Sequence, residues 1–234
     1  SEYCTKVFSD EIFHKKVILV RHDIDHDINA AFRMALLEKE SDIKATYLVL
    51  LRTKNYNIFE ASCCKKIRHI SDMGHEIGLH FSLGDHPKEQ NFFNLSQLIK
   101  EDIDYLSSCL GIPIKVFGFH NPNENVDFQI NVPGYINTYA FRYFNDAEYI
   151  SDSGFDWKGE DPSTRIKKLQ KNIVQLLVHP CNFAMAFASD AEKIRNFIKS
   201  EARSLAIYNT KQCRSFWNDE FNIEEFISSI KLDD

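Results

Sequence analysis

Short apolar, β-rich runs alternate with amphipathic helical stretches along most of this chain, and several runs lead straight into a cluster of His or Asp. Val17-Ile18-Leu19-Val20 is the first such run, and it stops at Arg21-His22-Asp23-Ile24-Asp25-His26-Asp27. From Ile28 to Lys39 the apolar residues recur at helical spacing, and Ala45–Leu51 predicts a second strand. Phe59–Met73 predicts a helix closed by Gly74, and His75–Leu79 a third strand. In Leu95–Leu110, Leu98, Ile99, Ile103, Leu106 and Leu110 share one helical face, and Gly111 follows as a stop. Ile114–Phe119, Tyr149–Ser151 and Ile173–Val178 predict further strands, and Ala188–Leu205 and Ile223–Ile230 further helices. Apolar runs without polar alternation suit strands covered on both faces, and strands alternating with helices imply a parallel sheet, open or closed into a barrel.

The length of 234 residues suits a single domain over 1–234, large enough to bury a full core without staples. A formal charge of −6 argues against a nucleic-acid surface, where clustered Lys and Arg are needed. No apolar run is long enough to span a membrane. Asp10 and Glu11 interrupt any secretory-signal pattern in Ser1–Phe13. The six cysteines lack a C-x-x-C spacing, so free thiols in a reducing cytoplasm are expected.

In parallel α/β folds the chemistry sits at the carboxyl ends of the strands. Here those ends carry Asp23 and Asp25, His80, His120 and His179. Residues i and i+2 of an extended segment point to one side, about 6–7 Å apart. Two carboxylates so placed repel unless a cation or proton lies near them, which suits one as a metal ligand and the other as a base. A helix cap is the competing use of Asp25 and of Asp27. His22 points away from Asp23 and reads as a packed, hydrogen-bonded histidine. In Gly74-His75-Glu76-Ile77-Gly78-Leu79-His80 alternation puts Glu76, Gly78 and His80 on one side, where a neutral imidazole at His80 makes a good zinc ligand. His120, in Phe117-Gly118-Phe119-His120-Asn121-Pro122, can supply a further ligand or a substrate contact. His179 stands alone after Leu176-Leu177-Val178, which suits a general acid.

Taken together, these clusters resemble the polysaccharide deacetylases of carbohydrate esterase family 4. Gly74–His80 is similar to the family's Gly-His-Glu-Ile-Gly-x-His element. Arg21–Asp25, Gly118–Pro122, Asp152-Ser153-Gly154-Phe155-Asp156-Trp157 and Leu177-Val178-His179 follow the family's other motifs in order over most of residues 17–185, and Ala45-Thr46-Tyr47 resembles its second-strand motif. The chain departs from the pattern in three places. Gly84 stands where the family has its second metal histidine, Asp23-Ile24-Asp25 replaces an adjacent Asp pair, and the arginine of the strand-four loop is missing. These features resemble a divergent branch with a His-Asp-Ile-Asp first motif, linked to surface-polysaccharide pathways.

The resemblance implies an α/β fold, a distorted (β/α)7-type barrel of mostly parallel strands. It implies a metal-dependent deacetylase that removes an acyl group, most simply acetyl, from an amino sugar or glycan precursor. Asp25 and His80 would hold the metal, with His120 as third ligand or else His86. Asp23 would be the base and His179 the acid, with the reverse use of Asp23 as a ligand the competing assignment. Arg21, Asp152 and Trp157 would contact substrate, Phe155 joining Trp157 as an apolar wall. Histidine ligands favour Zn2+, although such sites also take cobalt, nickel or iron. The alternative is a non-catalytic sugar-binding relative or scaffold of the same fold.

Overall fold

The computed structural model of the chain describes residues 3–12, 16–86, 94–122, 127–184, 189–212, 222 and 225. The chain divides into two compact units, residues 1–184 and 185–234.

The first unit is an α/β layer structure built on one parallel sheet. Its elements in order are β1 (Cys4–Lys6), β2 (Val17–Ile24), α1 (Ile28–Glu40), β3 (Thr46–Leu50), α2 (Ala61–Asp72), β4 (Glu76–Phe81), α3 (Leu95–Leu110), β5 (Val116–Phe119), β6 (Ile136–Asn137), α4 (Phe141–Phe144), β7 (Glu148–Ser151), α5 (Pro162–Lys168) and β8 (Ile173–Val178). The strand order is β6-β5-β4-β3-β2-β8-β7, with β1 also on β2. One edge of β2 serves two neighbours in succession: Cys4–Lys6 pair with Val17–Leu19, and Thr46–Val49 with Arg21–Ile24. All pairings are parallel, as the alternating pattern implied, and the sheet curls into a half-barrel, an α/β arrangement consistent with the distorted (β/α)7-type barrel that the resemblance implied. None of the described helices is long and apolar enough to cross a membrane.

β2 is longer than its apolar run. The strand continues through Arg21, His22 and Asp23 to Ile24, so this polar cluster lies inside the sheet instead of behind it. Its side chains are tolerated because each finds a partner. His22, on the helix side, faces Val178 O through Nδ1 (3.1 Å) and Glu38 of α1 through Nε2 (2.7 Å). Arg21 and Asp23, on the other side, pair with each other. α1 starts where Asp27 accepts hydrogen bonds from the backbone N–H of Asn29 and Ala30, so Asp27 is the cap and Asp25 is left for other work.

Alternation along the strands sorts the two faces. Val20, Ile24, Tyr47, Val49, Ile77, Leu79, Phe117 and Phe119 join the large core under α1, α2 and α3. Val17, Leu19, Leu48 and Val116, with Phe8 and Tyr143, form a smaller apolar cluster on the concave face. Toward the carboxyl ends of the strands the concave face becomes polar. Two glycines make room for that change: a Cβ on Gly78 would meet Leu48 Cδ2 at 2.5 Å, and one on Gly118 would meet first the Thr138 hydroxyl, then Leu48 Cδ1 at 2.7 Å and Arg21 Nη2 at 3.1 Å.

In the second unit, α6 (Asp190–Gln212) begins at a reciprocal cap. Ser189 donates to the Glu192 carboxylate from both N (2.8 Å) and Oγ (2.7 Å), and Glu192 N returns a bond to Ser189 Oγ. The helix over Ile223–Ile230 that the sequence predicts lies outside the described residues apart from Glu225.

Gly118→Ala is expected to destabilise the first unit by about 1–3 kcal/mol through overpacking against Leu48 and Arg21. Urea unfolding measures this, and an unchanged midpoint would show that the space beside Gly118 is not needed.

Candidate metal centre

The first layer of the polar face is an ion pair. Arg21 is fully buried, and its Nε and Nη2 donate to the two carboxylate oxygens of Asp23 at 2.7 Å each. Its guanidinium also lies 4.6 Å from the Tyr139 ring centre. Burial pushes the Asp23 carboxyl up, but Arg21, with His80 and His179, outweighs it and holds the group below the ordinary carboxylate range. Arg21, expected to contact substrate, therefore sits beneath the site as the partner of Asp23. No signal in the sequence marked Tyr139 as its neighbour.

Two residues further along the chain, Asp25 meets two histidines from other strands. Asp25 Oδ1 is 3.2 Å from His80 Nε2 and 3.4 Å from His120 Nδ1, and the two ring nitrogens are 3.2 Å apart. His80 comes from β4. His120 follows β5, placed by the β4–β5 register and by a bond from its N–H to Phe81 O (2.8 Å). The three donor atoms thus form a nearly equilateral triangle. A tetrahedral zinc held at about 2.0–2.1 Å requires donor separations of about 3.3 Å, so the triangle fits such an ion.

The electrostatics point the same way. Asp25 Oδ1 is buried with no hydrogen bond of good geometry, although two ring nitrogens surround it. Burial raises the Asp25 carboxyl, and contacts with His120 and His80 more than reverse this, so the group stays ionised. A buried anion without a fixed cation is costly, and a metal ion would meet that need. Among the described residues, Asp25, His80 and His120 are the one group placed to hold a metal. His86, the other candidate ligand, turns away to Asp102 of α3, with Nε2 3.0 Å from Oδ2. That carboxylate also accepts from Arg52 Nη2 at 3.1 Å, through its other oxygen.

The fourth histidine borders the triangle. His179 Nε2 is 3.7 Å from Asp25 Oδ2, and its Nδ1 is 2.6 Å from Asp152 Oδ1. Asp152 also accepts from His179 N and from Asn182 Nδ2 (2.7 Å). Burial lowers the His179 pKa, but the Asp152 hydrogen bond and the Asp23, Asp152 and Asp25 charges outweigh it and leave it raised. Asp152 is buried behind His179, so it orients that ring and does not face a ligand as expected. Trp157 is partly buried in the turn after β7, and Phe155 nearby in sequence is 38% exposed. An open groove of about 300 Å³ beside His120 is lined by Ser82–Asp85 and Phe119–Pro122. Gly84, standing where the resembled family has a metal histidine, lines this groove.

No protein-family profile matches the chain, and no curated protein matches it by sequence. Solved structures similar to it include members of carbohydrate esterase family 4. They include a pseudoenzyme of the family from Bacillus anthracis, 15% identical, with a TM-score of 0.45 over 80% of this chain and 60% of that one. The chain spans about three-fifths of the length of that relative. A polysaccharide deacetylase from Bacillus cereus is 16% identical, with a TM-score of 0.48 over 80% of this chain and 89% of that one. The chitin deacetylase of the fungal pathogen Colletotrichum lindemuthianum is 16% identical, with a TM-score of 0.49 over 78% and 81%.

Purified protein equilibrated with zinc is expected to hold about one ion per chain, and Asp25→Asn to lose most of it, whereas His86→Ala keeps it. Elemental analysis after dialysis decides. Zinc retained by Asp25→Asn, or lost from His86→Ala, would move the centre elsewhere.

Proposed function

We propose that this chain is a metal-dependent hydrolase that removes an acyl group, most simply acetyl, from an amino sugar or glycan precursor in surface-polysaccharide metabolism. The observation that carries the proposal is the placement of two separately paired groups beside the Asp25–His80–His120 triangle: Asp23 on Arg21, and His179 on Asp152. A sugar-binding module needs neither. Asp25, His80 and His120 would hold Zn2+, which when bound polarises an acyl carbonyl and makes a bound water more acidic. The likeness of motifs to the polysaccharide deacetylases supports the choice of bond and substrate.

The chain's own residues divide the proton work. Asp23 is ionised and pinned by two hydrogen bonds from Arg21, so its remaining lone pairs can accept a proton only from the side of the triangle. Its distance of 3.5 Å from His80 Nε2 places it against that centre. Pairing with Arg21 weakens it as a base but keeps it deprotonated. His179 has the complementary design. Its Nδ1 is fixed by Asp152, so Nε2 is the nitrogen that faces the cleft, and its raised pKa keeps the proton available for a leaving amine. Asp152 thus holds the ring and stabilises its charged form. The groove beside His120 is open and polar enough to admit a sugar ring. The five cysteines among the described residues are free thiols, in keeping with the cytoplasmic setting we assign.

The acid role separates two substrates. An amide needs its leaving nitrogen protonated, whereas an activated aryl ester does not. His179→Ala should therefore lose about 10²-fold or more on an N-acetyl amide while keeping much of its aryl-esterase activity. Asp23→Asn should lose both activities, and the fraction of it that stays folded should keep its zinc. Equal losses on both substrates in His179→Ala would contradict the acid role. Wild-type protein that binds zinc and sugar but turns over neither substrate would favour the sugar-binding alternative.

A further inference from the structure

On the helix side of the sheet, α2 and α3 pack over the large core, and one arginine fixes how they meet. Arg68 of α2 donates from Nε to Leu110 O (2.7 Å) and from Nη2 to Cys109 O (3.1 Å), so it serves two carbonyls that the end of α3 leaves without helical partners. Cys64 stands four residues before Arg68, on the same face of α2. Its thiol lies 3.8 Å from Cys109 O, and the Cys109 thiol lies 3.5 Å from Ile58 O in the turn before α2. The two thiols also hydrogen-bond to one another. The arginine contact thus sets the register that brings one sulfur against the other. Cys63, next in sequence, is turned about 100° round the helix and is buried in the core.

Cys64 and Cys109 are both partly exposed, and both line an open groove of about 640 Å³. Lys65 and Arg68 line it too, against a single acid, Asp72. Burial, and next the charge of Cys64, push the Cys109 thiol up, and Arg68 opposes them. We propose that Cys64 and Cys109 form a reversible redox site, where a small disulfide such as oxidised glutathione exchanges with both thiols and leaves an intramolecular disulfide between α2 and α3. In the first step one thiolate of the pair attacks a sulfur of the oxidant, the oxidant's S–S bond breaks, and one glutathione thiolate leaves. In the second, the other thiolate of the pair attacks the mixed disulfide, and the second glutathione thiolate leaves. The pair gives up two electrons, the oxidant is reduced to two thiols, and the two protons of the pair pass to the released thiolates. The groove gives the oxidant access, and Lys65 and Arg68 suit an anionic one. The new bond joins residues 45 apart in sequence and encloses β4. In a reducing cytoplasm the pair stays open as free thiols, and it closes when the glutathione pool is oxidised. This site is independent of the metal reading of Asp25, His80 and His120.

Glutathione buffers of rising oxidised fraction are the probe, applied to the full native chain. The reaction is stopped with acid, the remaining thiols are alkylated, and the protein is mapped by mass spectrometry. The wild type should lose two titratable thiols, run as a monomer on a non-reducing gel, and yield linked peptides that contain Cys64 and Cys109. Cys64→Ser and Cys109→Ser should each abolish the link, whereas Cys63→Ala should keep it. Circular dichroism should not change on oxidation, and the urea midpoint of the linked protein should rise, because the bond restrains the unfolded chain. Reduced glutathione should reverse both the link and the shift in midpoint. A native chain that forms no such link at any oxidised fraction, a link that forms only in urea, or one that survives in Cys64→Ser through Cys63 overturns the proposal. Mixed disulfides with glutathione that never resolve into the internal bond overturn it as well.

Discussion

The buried pair of Arg21 and Asp23 is the constraint on which the rest of the site depends. A guanidinium with no exposure is tolerable only with a partner, and removing one member of such a pair typically costs about 3–5 kcal/mol. Both groups lie on one strand, two residues apart, so β2 must stay extended past its apolar run to bring them together. The neighbouring strands must then leave space, which is why β4 and β5 carry Gly78 and Gly118 against this layer. Tyr139 lies against the guanidinium from beyond β6. Once Arg21 is committed to Asp23, no fixed cation among these contacts remains for Asp25.

That division sets the chemistry. Three carboxylates converge near the strand ends, and each has a different partner. Asp23 has a permanent cation, Asp152 has His179 and Asn182, and Asp25 has imidazoles alone, His80 and His120 at Oδ1 and His179 at 3.7 Å from Oδ2. A group pinned by arginine stays ionised, a group on histidine sustains a proton on the ring, and a group left to imidazoles calls for a metal. One concave face therefore brings an arginine-paired carboxylate, an aspartate-held histidine and the Asp25–His80–His120 triangle within a few ångströms of one another, because the sheet topology sets β2, β4, β5 and β8 close together.

Much of this was legible in the sequence, and the misses have physical causes. β8 runs over Ile173–Val178 as its apolar run predicts, and α3 over Leu95–Leu110. β2 and β4 were cut short because Arg, His and Asp look like loop residues when only hydropathy is read; they are buried here because each has a partner, Arg21 and Asp23 in each other, His22 in Glu38 of α1 and His80 in Asp25. β1 and β6, of three and two residues, carry no periodicity to detect. Candidate ligands could be named from strand-end positions, but choosing His120 over His86 depends on strand register and on the pull of Asp102, which no local pattern encodes. The burial of Arg21 and Asp152 was missed for the same reason. Charge suggests a substrate contact, and only the fold shows that each charge is spent on a neighbouring side chain, Arg21 on Asp23 and Asp152 on His179.

The most direct measurement is anomalous diffraction at the zinc edge from crystals grown with zinc. A single peak is expected inside the triangle of Asp25 Oδ1, His80 Nε2 and His120 Nδ1, about 2.0–2.1 Å from each donor. A site empty at full zinc occupancy of the crystal, or a peak at His86 and Asp102 instead, would contradict the metal centre.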